Sequence, residues 1–157
     1  MQNYDSYSEV EKASKLLTVK QAAYVRTATR IALRVEQDET DLELLSNEDK
    51  VAINYAVSRM SVTNGYFMSR GPLPLPEGGF NELNLRPFAE LDVPDEISYH
   101  LACMAVSIIN QGWACFQAHG QQLLRDFDMP SRTLDEAVRL VNHIRAVSMT
   151  PNLLAVK

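Results

Sequence analysis

Apolar positions recur every three to four residues along most of this chain, and polar capping residues separate the runs. Thr18-Val19-Lys20-Gln21 has the form of a capping box, with Thr18 as N-cap and Gln21 reaching back to its backbone N–H. Ala22, Val25, Ala28 (with Ala32), Ile31 and Val35 follow at helical spacing. Residues 38–44 are acidic and predict a solvated turn rather than a metal site, which would need more convergent ligands. Ser46-Asn47-Glu48-Asp49 starts the next helix, with acids on its positive end. Val51, Tyr55, Val57, Met60, Val62 and Phe67 supply its apolar positions. Residues 71–80 are rich in Pro and Gly, which break helices and central strands alike. They predict the longest loop, either a surface connector or a functional or interfacial segment.

Leu91-Asp92-Val93-Pro94-Asp95-Glu96 signals another helix start, with Pro near the first position and acids following. Ile97, Leu101, Met104, Ala105, Ile108 and Ile109 form its expected buried stripe. Asn110-Gln111-Gly112 signals a stop and a restart. The next helix runs from Gly112 to about Phe127, and Asp128-Met129-Pro130-Ser131 ends it. Thr133-Leu134-Asp135-Glu136 has the form of a second capping box. Leu134, Val138, Val141, Ile144 and Val147 carry the last helix, which Pro151 closes. Residues 1–12 are polar without clear periodicity and suggest a loose arm or a short helix that docks late. No stretch alternates with period two for long enough to suggest a strand. The pattern describes an all-α protein.

Composition narrows this picture. A chain of 157 residues predicts a single domain, 1–157. A net charge of −5, with no basic cluster, argues against a nucleic-acid partner. The sequence has no apolar run long enough for a membrane span, and its polar, acidic start does not resemble a signal peptide. Two cysteines make no disulfide framework, so the expected location is a reducing cytoplasm.

The candidate chemistry lies at the restart. Cys115 falls in the first turn of the new helix, where unpaired backbone N–H groups and the positive dipole end favour a thiolate. His119 lies one turn further along the same face, within side-chain reach. A cysteine beside a histidine is one way to build a thiol nucleophile. The alternative is a small buried hydrophobe, since free Cys is among the most buried residue types. In a hairpin about Gly112, Cys103 would sit about 9 Å along the axis from Cys115. A helix separation of about 8–10 Å then places the pair beyond the roughly 7 Å limit for a bridge, so Cys103 is expected in the core. His143 is expected at the surface. The three histidines are too dispersed to clip a zinc ion, although Cys115 with His100 and His119 offers a metal alternative. Trp113, Phe116 and Tyr66 are candidates for an apolar pocket beside the thiol, or for ordinary core or interface.

The segment 99–119 also resembles the AhpD (alkylhydroperoxidase D) branch of the carboxymuconolactone decarboxylase-like proteins. That family's motif is a Glu, eleven residues, Cys-x-x-Cys and, four residues later, a His. Here His100 stands at the Glu position, Gly112 at the first Cys, and Ala114 where a His often lies between the cysteines. Cys115 and His119 match the second Cys and the final His. Ala105-Val106-Ser107-Ile108-Ile109-Asn110 is also similar, and Asn64-Gly65-Tyr66-Phe67-Met68-Ser69-Arg70-Gly71 matches more weakly. The resemblance spans roughly residues 50–150.

It implies an AhpD-like bundle of about six helices and a thiol-dependent antioxidant activity that uses no cofactor and no metal. Cys115, His119 and His100 would be catalytic, with a small hydroperoxide as substrate and an external thiol as reductant. A homo-oligomer, trimer or hexamer, is implied as well. Two facing histidines would depress each other's pKa. Replacing Gly112 with Cys should restore the Cys-x-x-Cys pair. The rival expectations are a non-catalytic structural or interaction protein that lost redox chemistry with its first cysteine, and a cofactor-free decarboxylase of the wider family.

Overall fold

The computed structural model describes residues 15–149, and the expected N-terminal arm and Pro151 lie outside them. Thr18 caps α1 (Val19–Leu33) through the expected reciprocal box with Gln21. The helix stops when Arg34 turns left-handed at φ 59°, so Val35 lies beyond its end. Asp38 caps the short α2 (Glu39–Glu43). The acidic turn is not wholly solvated. Asp41 is buried and paired with the Arg26 guanidinium, whose Nε and Nη2 donate to it at 2.5–2.9 Å. A buried carboxylate persists only with such a partner.

Ser46 and Asp49 form the capping box of α3 (Asn47–Arg70). Asp49 also accepts from the Tyr24 hydroxyl at 2.6 Å and pairs with Lys20 at 2.8 Å, which ties the start of α3 to α1. The buried face of α3 is Ala52, Ile53, Ala56, Met60, Thr63 and Asn64. Val51 and Val62, expected on the apolar face, are exposed. Two 3₁₀ turns, Phe80–Leu83 and Phe88–Glu90, lie between α3 and α4.

Asp95 caps α4 (Glu96–Ile109), and Pro94 stands directly before the cap. Every residue from Ser98 to Ile108 is buried, so α4 carries no mere stripe. It is surrounded by α1, α3, α5 (Trp113–Arg125) and α6 (Ser131–Met149). A helix that is apolar all round belongs in a core. Its Tyr99, Ala102, Cys103 and Val106 join one apolar cluster with α1 and α3. Its Leu101, Met104, Ala105 and Ile108 join a second with α6.

The second expected capping box does not form. Helix α6 begins at Ser131, and the Thr133 N–H already bonds to the Pro130 carbonyl inside the first turn. The Glu136 carboxylate instead accepts backbone N–H groups of Lys15, Leu16 and Leu17 at 3.0–3.2 Å. It thereby fastens the approach to α1 onto α6. The described residues contain no strand, and none of their helices is long and apolar enough to cross a membrane.

Candidate functional site at the start of the fifth helix

The corner between α4 and α5 is tight. Asn110 ends α4, Gln111 takes the left-handed conformation at φ 58°, and Gly112 caps α5 with no side-chain hydrogen bond. Gly112 itself has an ordinary φ of −81°, so its backbone does not require glycine. Space does. A Cβ at this position would meet the Asn64 side chain at 2.2–2.7 Å. Asn64 is buried, donates to Ser107 Oγ at 3.0 Å and accepts from Asn110 Nδ2 at 3.2 Å. Gly112→Cys would therefore have to displace a neighbour held in a hydrogen-bonded network before a Cys-x-x-Cys pair could form.

Cys115 is the third residue of α5, as the spacing predicts, and is 8% exposed. No side chain caps the first-turn N–H groups beside it. Cys103 is fully buried in the core, and burial pushes its thiol up to about 12. Both thiols are free.

His100, from the core of α4, and His119, one turn beyond Cys115, meet directly. Their Nδ1 atoms lie 2.8 Å apart. At that distance one nitrogen carries a proton and the other accepts it. Adding a second proton would charge one ring of a part-buried pair. Burial, the His100 ring and the Arg59 guanidinium together hold His119 down at about 3. Burial also lowers His100, against the opposing pull of the Glu96 and Asp126 carboxylates. The depression expected for facing histidines is present at His119, where burial is the larger cause, while His100 is lowered by burial alone. Phe88, Tyr99 and Phe127 surround the His100 ring at centroid distances of 5.6–5.7 Å. Its Nε2 is buried and faces Glu96 Oε1 at 3.5 Å.

Cys115, His100 and His119 all line one cavity of about 480 Å³. Its aromatic walls are Phe67, Phe80, Phe88 and Tyr99, and Arg59 is its cation. Trp113, Phe116 and Tyr66 do not line this cavity, although Trp113 keeps its expected place in a hollow beside the thiol. Trp113 is 59% exposed and borders a separate hollow of about 170 Å³, which also reaches Cys115. Phe116 packs against the second apolar cluster, and Tyr66 lies under the Arg70 guanidinium. The Pro/Gly loop has one end in the site through Phe80. Arg70 gathers the loop by donating to the carbonyls of Leu75 and Glu77, and Gly78 turns there at φ 86°. A side chain on Gly78 would also meet the Tyr66 hydroxyl at 2.9 Å.

His143 is half-buried on α6, away from this cavity, rather than fully exposed. No three His, Cys, Asp or Glu side chains converge to hold a metal among the described residues. Sequence reasoning missed Asn64, Arg59, Phe88 and Glu96. Glu96 was within reach of it, since it precedes His100 by one helical turn.

With the geometry in place, comparison with known proteins adds one relative. No protein-family model matches the chain. The chain is 32% identical over 114 residues to the alkyl hydroperoxide reductase AhpD of Streptomyces griseus subsp. griseus. The match covers 71% of this chain and 63% of that relative, so the chain spans just under two thirds of its length. The similarity supports a place among the AhpD-like proteins, and the all-helical architecture agrees with it.

Proposed function

We propose that the chain is an AhpD-like thiol peroxidase that acts through the single cysteine Cys115 on organic hydroperoxides. The observation that carries the proposal is the position of that thiol. It sits at an uncapped helix N-terminus, on the wall of an apolar cavity that also holds the proton-sharing His100–His119 pair. The uncapped first-turn N–H groups of α5 lie beside the thiol, and its proton passes through His119 to the histidine pair rather than resting on His119, which burial holds down at about 3. The thiolate attacks one peroxide oxygen, and the O–O bond breaks. The alcohol leaves with the proton returned by His119, and Cys115 becomes a sulfenic acid. An external thiol then forms a mixed disulfide with Cys115 and releases water. A second thiol reduces that disulfide. No cofactor or metal takes part.

The aromatic walls fit an organic hydroperoxide better than hydrogen peroxide, because apolar surface is what such a cavity can desolvate. Cytoplasmic location and a trimeric or hexameric assembly complete the proposal. One observation favours a second reading, a non-catalytic interaction protein: Asn64 fills the space a side chain at position 112 would need. Consumption of cumene hydroperoxide with dithiothreitol separates the two. The native protein should turn over and Cys115→Ser should not, whereas equal background rates would leave the non-catalytic reading.

A further inference from the structure

The shared proton of the histidine pair has two possible arrangements, and they differ in what they offer the thiol. If His119 Nδ1–H donates to His100 Nδ1, then His100 carries its single proton on Nε2 and His119 leaves Nε2 bare. If His100 donates instead, the reverse holds, and His119 presents a protonated Nε2 that cannot act as a base. The choice depends on what faces His100 Nε2. That atom is buried without a hydrogen bond, and the Glu96 carboxylate stands 3.5 Å from it. A bare imidazole lone pair against a carboxylate is repelled, while an N–H there is attracted.

We propose that Glu96 is a positioning residue that fixes the tautomers of His100 and His119, leaving His119 Nε2 unprotonated toward the cavity. Glu96, His100 and His119 then form a three-membered proton relay. This extends the thiol chemistry proposed above and rests on it for its purpose. When His119 Nε2 takes the Cys115 proton, its Nδ1 proton passes to His100 Nδ1. His100 becomes the imidazolium, with its Nε2–H against Glu96. The positive charge thus moves one ring away from the reacting sulfur and next to a carboxylate. Charge and protons balance: one thiol becomes a thiolate, and one neutral histidine pair becomes a cation. The Glu96 side chain is 43% exposed, so the relay ends at solvent. The neighbouring charged and titratable groups are Asp126 and Tyr99 around His100, and Arg59 and Cys115 around His119. None of them contacts His100 Nε2 with a hydrogen bond.

The carboxylate belongs to the first turn of α4, one turn before the ring it serves. Asp95 caps that helix independently, so Glu96→Ala should keep the fold. The test is long-range proton–nitrogen correlation spectroscopy of the histidine rings at neutral pH, with the alkylation rate of Cys115 by iodoacetamide alongside. The native protein should show His119 protonated on Nδ1 and His100 on Nε2. Glu96→Ala should mix or invert these tautomers and slow alkylation roughly tenfold. His119 protonated on Nε2 in the native protein, or tautomers unchanged in Glu96→Ala, would overturn the relay. The peroxidase proposal fails separately: the expected tautomers together with no peroxide turnover would sink that proposal and leave the role of Glu96 intact.

Discussion

At the residue scale, the two cysteines share a helical hairpin and differ in everything that governs reactivity. Cys103 is enclosed by the core, and its thiol is pushed up to about 12 by burial. Cys115 lies at a helix start on a cavity wall. Iodoacetamide should therefore modify Cys115 in the native protein while Cys103 reacts only on unfolding, as peptide mass mapping can show. Equal slow labelling of both would remove the reactive site. The Gly112–Asn64 contact gives a second expectation. Gly112→Cys should lower stability by about 1–3 kcal/mol, because the buried Asn64 must move and break its bonds to Ser107 and Asn110. Adding Asn64→Gly, which removes the Cβ that would stand 2.7 Å away as well as the amide, should restore room. The double variant should then lose about two hydrogen masses under mild peroxide, as a bridge closes between the introduced thiol and Cys115. Thermal melts and intact mass decide the matter, and a stable Gly112→Cys single variant would contradict the packing.

At the element scale, the site is the product of one helix buried from Ser98 to Ile108 and one half-buried one. Helix α4 carries His100 into the core, and α5 starts beside it with Cys115 and His119 on one face. Much of this was legible. The capping residues Thr18 and Ser46, the break at Asn110-Gln111-Gly112 and the Cys115–His119 spacing are local signals, and the chain obeys them. What escaped was long-range. Thr133-Leu134-Asp135-Glu136 has the letters of a capping box, yet Glu136 is recruited by backbone N–H groups that lie 119–121 residues away. The aromatic cavity wall draws on Phe67, Phe80 and Phe88, which only the closure of the fold brings to α5. Likewise, no sequence period reports that Asn64 will occupy the space beside Gly112. The Glu136 anchor is testable. Glu136→Ala should cost about 1.5–3 kcal/mol in urea denaturation, the usual worth of hydrogen bonds to a charged acceptor. A variant as stable as the native protein would mean that the anchor contributes nothing.

At the scale of the whole molecule, the buried histidine pair ties stability to pH. In the unfolded chain a histidine gains its proton near pH 6.5, whereas His119 in the fold resists until about 3. Between those values the unfolded state binds more protons, so stability rises with pH and falls on acidification. The slope for one such group is about 1.4 kcal/mol per pH unit. His119→Gln should flatten the slope between pH 6 and 4 by about that amount, and an unchanged slope would mean His119 is not held neutral. Assembly is a property of the same scale. Light scattering should find a trimer or hexamer, and a 17.7 kDa particle at micromolar concentration would contradict it. The central claim, that Cys115 is a peroxidatic thiol, is tested most directly by a single turnover without reductant. One equivalent of cumene hydroperoxide should add one oxygen, about 16 Da, to Cys115 and release one equivalent of cumyl alcohol, with Cys103 unchanged. Hydroperoxide left intact beside an unmodified Cys115 would contradict the account.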